Sequence, residues 1–345
     1  MSVEAAAPLR IGMIGAGQVS RFHLEGWRRA DAARVVAICN RTPERAHALA
    51  AAYGIERVYT DIEAMLDGER LDAVDITVAP ELHRPACLAA AERGVAILCQ
   101  KPLAGSLAAA QALTAELAGC VPFMVHENWR FRPHYRRIRQ WVAQGDIGTI
   151  RRFHFSASGS GLVNEDGQAS PPLLRRQPFL AGMRRMITLE LLVHHLDTIG
   201  MLCRPPLRVE SATMERRSAQ VIGEDYACIQ LVGADGVAGT VIGDWCVPGL
   251  PYGIHDRLEL DGTQGRIRFA DGVATLTLGG QELGGQERSE HFDPAEGYQA
   301  SYSNIIDHFA ACLRTGRPFE STVADNLRAL ELVEAAYAAS GWPAN

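Results

Sequence analysis

Four stretches combine residue types and spacings that could do chemistry. The first, Gly15-Ala16-Gly17-Gln18-Val19-Ser20, follows the apolar run Leu9–Ile14 and opens a helical segment. Backbone free of side chains at a helix start lets phosphate oxygens approach, and the first N–H groups carry positive partial charge. A pyrophosphate cradle built on Gly15, Gly17, Gln18 and Val19 is therefore expected, although Ser20 stands where a third glycine is usual. The alternative is a plain tight turn.

The second stretch is Asn40-Arg41-Thr42, at the end of the next apolar run, with Arg45 one helical turn further on. NAD sites usually place Asp or Glu there to hold the ribose hydroxyls. A carboxylate would repel a 2′-phosphate, whereas Arg41 can pair with it, so NADP is favoured over NAD. The competing reading of Arg41 is a solvated helix-start residue.

Cys99-Gln100-Lys101-Pro102 ends a buried strand. Ligands of open α/β sheets sit beyond the carboxyl ends of strands, so Lys101 faces a crevice, where an ammonium can orient a substrate hydroxyl and exchange its proton. The fourth stretch is helical, from Met186 to Asp197. At ~100° per residue, Glu190, His194 and Asp197 share one stripe while Leu189, Leu192, Val193 and Leu196 cover the opposite side. Buried ionisable groups must be paired or face a cleft, which favours a catalytic or substrate-binding stripe over a purely structural one. His195 is turned away and reads as a packing or orienting residue. Glu190 and His194 also have a metal-like spacing, but no third ligand is indicated and no metal is expected.

Two kinds of element must position these residues. Up to residue 125, short Val- and Ile-rich runs at 9–14, 35–39, 74–78, 95–99 and 123–125 alternate with helices, which implies a doubly wound parallel sheet. Thr42-Pro43 and Ser106 mark helix starts; Gly54 and Gly94 mark ends. Beyond Gly148 strand follows strand, at 150–156, 207–214, 226–232, 239–246, 257–260, 266–269 and 273–278. Turns are expected at Asp235-Gly236, Asp261-Gly262 and Asp271-Gly272. This pattern predicts an antiparallel meander, broken by a helix over 180–202 and followed by helices at 302–313 and 324–339. The expected fold is thus a Rossmann domain over 1–125 and an α+β domain over 126–345 with a large open, mainly antiparallel sheet. The stretch 159–172 is the loop best suited to be a lid or linker.

Composition leaves the partner class narrow. The 345 residues are 47% hydrophobic and 21% charged, an ordinary globular balance, with a formal charge of −6. No global field favours nucleic acid or an anionic membrane. No apolar run approaches ~18 residues, and 1–8 lacks the parts of a secretory signal, so the cytoplasm is the default compartment. Eight cysteines form no C-x-x-C pair and are expected to be reduced and mostly buried.

Gly15-Ala16-Gly17, Ala79-Pro80-Glu81-Leu82-His83, Gln100-Lys101-Pro102, Arg130-Phe131-Arg132-Pro133 and Gly145-Asp146-Ile147-Gly148-Thr149-Ile150 together resemble the glucose-fructose oxidoreductase, inositol dehydrogenase and MocA (Gfo/Idh/MocA) family. The resemblance runs through nearly the whole chain. It implies an NAD(P)-dependent oxidoreductase acting on sugars, polyols or derivatives, and a homodimer or homotetramer formed through the open sheet. Ala79, Pro80, His83, Gln100 and Lys101 join the expected nucleotide contacts. The family's Glu-Lys-Pro becomes Gln100-Lys101-Pro102, and its Asp-x-x-x-His falls on Glu190 and His194. The glycine-rich run usual before that pair is replaced by Arg184-Arg185-Met186.

The implied reaction moves a hydride between a hydroxyl carbon and the nicotinamide. Lys101 and His194 share the hydroxyl proton, Glu190 positions or charge-balances the pair, and Asn128, Trp129, Arg130, Arg176 and Gln177 are candidate substrate contacts. A non-catalytic dinucleotide or sugar sensor on the same scaffold is the alternative. A metal-dependent hydrolase would leave the N-terminal half unexplained.

Overall fold

Residues 7–164, 167–203, 206–279 and 286–343 are described by the computed structural model. Residues 165 and 166 of the expected lid loop, and 1–6 at the N-terminus, lie outside that part. The chain divides into two units, 1–132 with 295–327, and 133–294 with 328–345.

In the first unit the alternation of short buried strands and helices gives β1 (Leu9–Ile14), α1 (Ser20–Arg29), β2 (Ala33–Cys39), α2 (Pro43–Tyr53), β3 (Arg57–Tyr59), α3 (Ile62–Gly68), β4 (Ala73–Ile76), α4 (His83–Glu92), β5 (Ala96–Gln100), α5 (Leu107–Leu117) and β6 (Phe123–His126). Among the described residues the strands form one parallel sheet in the order β3-β2-β1-β4-β5-β6. The order reverses between β1 and β4, so their carboxyl ends flank the crevice where such sheets bind ligands. The three-residue β3 is too short and too exposed to show in the sequence pattern. Ser106 caps α5 by accepting from Ala109 N at 3.3 Å. Thr42 precedes α2 in extended conformation without a capping side-chain bond.

The second unit contains α6 (Pro133–Gln144), β7 (Ile150–Ser158), α7 (Pro172–Arg176), α8 (Val193–Leu202), β8 (Leu207–Glu215), β9 (Tyr226–Gly233), β10 (Ala238–Asp244), β11 (His255–Gly262), β12 (Gly265–Ala270), β13 (Val273–Leu278) and β14 (Glu287–His291). The sheet order is β14-β13-β12-β11-β7-β10-β9-β8. All pairs are antiparallel except β7 with β10, which is parallel. The expected single meander is corrected to two, β8–β10 and β11–β14, joined across the central β7. Phe153, Phe155, Ile229, Leu231, Val241, Leu258 and Leu260 fill the buried face; α6, α8 and the turn before α8 pack within this unit.

Turn chemistry holds in part. Asp271 and Gly272 both have positive φ, 51° and 78°, in the β12–β13 hairpin, a conformation that Asp tolerates and Gly adopts freely. Asp261-Gly262 is not a turn: Asp261 lies opposite Arg152 of β7 and accepts from its Nε at 2.8 Å, so the chain continues as strand and turns at 263–264.

The last two helices are α9 (Pro294–Thr315) and α10 (Val323–Ser340). The boundary expected at 125/126 lies at 132/133, and 295–327 returns to the first unit. The cause is apolar: Ile305, Ile306, Phe309 and Ala310 of α9 enter one core with Leu24, Trp27 and Phe131. Each fully buried Ile or Phe contributes roughly 1.5–3 kcal/mol.

Candidate active site

The glycine turn after β1, the expected nucleotide cradle, lies close against the end of β4. Gly15 has φ +116°, and a Cβ there would lie 2.7 Å from Thr77 Oγ1 and 2.9 Å from the Thr77 carbonyl carbon, so neither backbone nor space admits a side chain. At Gly17 a Cβ would meet nothing within 4 Å. That exposed edge, continued by Gln18 and Val19 at the start of α1, is the kind of surface a pyrophosphate requires, and the residues fit a dinucleotide.

Ser20 is not a lost glycine. Its buried hydroxyl accepts from Gly17 N at 3.0 Å and meets Thr77 Oγ1 at 2.9 Å; Thr77 Oγ1 in turn donates to Ile14 O at 3.2 Å. Asn40 ties the same turn to the end of β2, accepting from Ala16 N at 3.1 Å and donating to Thr42 O at 2.8 Å. Arg41 and Arg45 are exposed.

Lys101, half-buried, leaves the end of β5 on a loop held from three sides. Gln100 Oε1 accepts from its backbone N–H at 2.7 Å, Asn326 Oδ1 accepts from Leu103 N at 3.3 Å, and His83 Nδ1 lies 3.1 Å from Leu103 O. The other His83 nitrogen lies 3.0 Å from Val78 O. His83, an expected nucleotide contact, is fully buried between two backbone carbonyls and ties the β4 and β5 loops together. Burial pushes its pKa below the ordinary value, against the opposing pull of those carbonyls. Ala79 is exposed and Pro80 half-buried on the β4 loop.

Asn128, Trp129 and Arg130, the expected substrate contacts, also make contacts within the first unit. Asn128 Nδ2 donates to Ser301 Oγ at 2.8 Å, the Arg132 guanidinium lies 3.6 Å from the Trp129 ring centre, and Arg130 bonds Glu320 O and pairs with Asp325 at 3.4 Å. All three side chains are buried and anchor β6 to the returning segment. The printed bonds of Asn128 and Arg130 run to residues of the same unit.

In the second unit the expected helix over 180–202 is a short 3-10 segment (Pro178–Gly182), a π-helical turn (Thr188–Leu192) and α8. A π turn closes wider than an α turn and so advances less than 100° per residue, which offsets Glu190 from the line through His194 and Asp197. Glu190 is half-buried in the π turn; His194 and Asp197 are buried in α8. Glu224 holds the start of this segment, accepting from Met186 N at 2.9 Å, Thr188 N at 3.1 Å and the Tyr337 hydroxyl. Burial raises the Glu224 pKa, opposed by those donors. Arg185, from the stretch replacing the usual glycines, lies 4.0 Å over the Tyr337 ring and pairs with Glu334 at 2.9 Å.

His195, expected as a packing or orienting residue, is fully buried. Its Nε2 lies 2.9 Å from Asp256 Oδ1, its Nδ1 3.1 Å from Leu191 O, and Asp256 also accepts from Tyr135 at 2.7 Å. Arg176 is exposed and Gln177 half-buried at the end of α7.

Sequence reasoning missed Asp75, Glu224, Asp256 and Asn326, all buried. Asp75 did carry a signal: a carboxylate inside the otherwise apolar strand Ala73–Ile76 must have buried partners. The others depend on long-range contacts that no local pattern encodes. Among the described residues no group of three or more His, Cys, Asp or Glu could hold a metal, and the cysteines are free, with Cys39, Cys87, Cys99, Cys203 and Cys312 buried. Burial pushes the Cys39 thiol up to about 11. No helix among them is long and apolar enough to cross a membrane.

Comparison with known proteins bears on the fold and the family. Residues 9–124 match the oxidoreductase family with an NAD-binding Rossmann fold, and residues 135–268 match the GFO/IDH/MocA C-terminal domain. D-apiose dehydrogenase of Paraburkholderia graminis is 37% identical over 94% of this chain and 86% of its own length. Inositol 2-dehydrogenase of Rhizobium meliloti is 27% identical over 95% and 96%. The crystal structure of an oxidoreductase from Agrobacterium radiobacter in complex with NAD+, L-tartaric acid and magnesium superposes with a TM-score of 0.87 at 28% identity, covering 97% of each chain. The chain belongs to the Gfo/Idh/MocA family of oxidoreductases, whose N-terminal half is an NAD-binding Rossmann fold.

Proposed function

We propose that this protein oxidises a hydroxyl carbon of a sugar or polyol, or reduces the corresponding carbonyl, with aldoses related to apiose as the first substrates to try. The observation that carries this reading is Lys101, on a loop fixed by His83, Gln100 and Asn326 at the carboxyl end of β5. Such a placement suits a residue that must meet a substrate at the mouth of a parallel sheet. The name of the 37% identical relative supports the sugar class.

Gly15, Gly17, Gln18 and Val19 would hold the pyrophosphate, with Ala79, Pro80 and Gln100 lining the remaining nucleotide path. When bound, the nicotinamide supplies the hydride acceptor or donor. Lys101 and His194 orient the substrate hydroxyl and hold its proton, one as the base and the other as a hydrogen-bond partner. Glu190 positions the pair, and Arg176 and Gln177 bind outlying hydroxyls. NADP is preferred to NAD: the β2 end carries no carboxylate, and Arg41 is exposed with no hydrogen bond or ion pair among the described residues. The protein works in the cytoplasm as a homodimer or homotetramer joined through the outer face of the eight-stranded sheet.

The test is turnover of purified protein with NADP+ and with NAD+ against a panel of aldoses, polyols and sugar acids. Reduced nucleotide should accumulate with at least one member. Binding of nucleotide and sugar without turnover across the panel would identify a sensor instead.

A further inference from the structure

The end of β5 carries a hydrogen-bond chain that can be ordered from one fixed point. The backbone N–H of Lys101 can only donate, and it meets Gln100 Oε1 at 2.7 Å. The other end of that amide is then the NH2 group, and its Nε2 lies 3.1 Å from His23 Nε2. An amide N–H donates, so His23 Nε2 accepts and bears no proton. The ring proton is thereby placed on Nδ1, which lies 2.9 Å from Asp75 Oδ2. Asp75 Oδ2 also accepts from Trp27 Nε1 at 2.7 Å. His23 and Asp75 are fully buried and Gln100 nearly so.

We infer that His23 and Asp75 are positioning residues for Lys101, and that Gln100 is the amide which this tautomer of His23 requires. The inference rests on the assignment of Lys101 to the reaction. The chain links α1, β4 and β5 to the main chain of the lysine, so Lys101 is fixed from the core of the first unit.

The groups that face the His23 ring are Trp27 on its own helix, Asp75 from β4, Gln100 from β5, His126 from β6 with ring centres 3.9 Å apart, and Tyr302 from α9 at 5.3 Å. Asp75 is the carboxylate bonded to the ring. A glutamate at position 100 would turn an acceptor toward Nε2, which is itself an acceptor. The two oppose each other unless one additional proton is held between carboxyl and ring. Gln100→Glu should therefore bind one proton more than the native protein, and should lose the Lys101 anchor when that proton leaves.

Two measurements on the full chain decide this. In 15N-histidine-labelled native protein, long-range 1H–15N spectra should show His23 with Nδ1 protonated and Nε2 unprotonated at neutral pH. In Gln100→Glu the ring should become doubly protonated there. Its kcat should fall about tenfold as that proton is lost with rising pH, the worth of one lost charge-assisted hydrogen bond. The native kcat should lack this added fall. A protonated Nε2 in the native spectrum, or superposable pH profiles of the two proteins, would overturn the inference. The native spectrum decides the tautomer even if Gln100→Glu does not fold or no sugar is turned over, so failure here is distinguishable from failure of the dehydrogenase assignment.

Discussion

Ser20 Oγ and Thr77 Oγ1 lie 2.9 Å apart, both buried, and this bond joins the glycine turn after β1 to the end of β4. It relays a hydrogen-bond chain from Gly17 N–H to Ile14 O. The glycine turn is thus tied to two strands of the sheet by side-chain hydroxyls.

The two glycines of the cradle should respond in opposite ways. Gly15→Ala forces a side chain into Thr77 at positive φ and should cost ~1–3 kcal/mol or more in denaturant unfolding, with nucleotide binding lost. Gly17→Ala meets no protein atom and should leave stability within ~0.5 kcal/mol while weakening nucleotide affinity. Equal loss of stability in both would contradict the cradle.

Stability should fall in mild acid through His83. Its pKa in the folded protein is held below the ordinary 6.5 by burial, so the unfolded chain takes up the proton first. Stability is intact above the unfolded value and is lost as pH falls through the folded one. In thermal melts over this range the native protein should lose more than His83→Gln, whose side chain does not titrate. Parallel losses in the two proteins would remove His83 from the account.

Cofactor choice should depend on Arg41. Arg41→Ala should weaken NADP+ binding by about tenfold, the scale of a charge-assisted pair at an exposed site, and change NAD+ binding by less than about twofold. Tighter binding of NADH than of NADPH to the native protein would refute the assignment.

The outer face of the eight-stranded sheet presents Arg152, His154, Gln230, Thr240, Glu259 and Asp261 around a hollow of about 490 Å³. Sedimentation should find a dimer or tetramer, and Thr240→Arg, which adds a large cation beside His154, should shift it toward monomer without loss of fold. A native monomer at all concentrations would refute assembly through this face.

The parallel sheet was legible because fully buried strands such as Ala96–Gln100 read as continuous apolar runs bounded by helix caps. The same local logic hid the return of α9 to the first unit: Phe309 reads as an ordinary helix-face residue until its partners Trp27 and Phe131 are known. Regular helical spacing also concealed the π turn before His194, which Glu224 holds from a distant part of the sequence. The Lys101 position was readable from its strand and proline. The engagement of Asn128 and Arg130 was not, because polar residues next to a site look alike whether they face ligand or fold.

The most direct test of the central claim is Lys101→Met, read for turnover and nucleotide affinity together. In this variant kcat should fall by at least about a hundredfold, the scale of a lost proton-transfer group, while the NADP+ Kd stays within about threefold. Undiminished turnover, or loss of nucleotide binding in step with turnover, would contradict that claim.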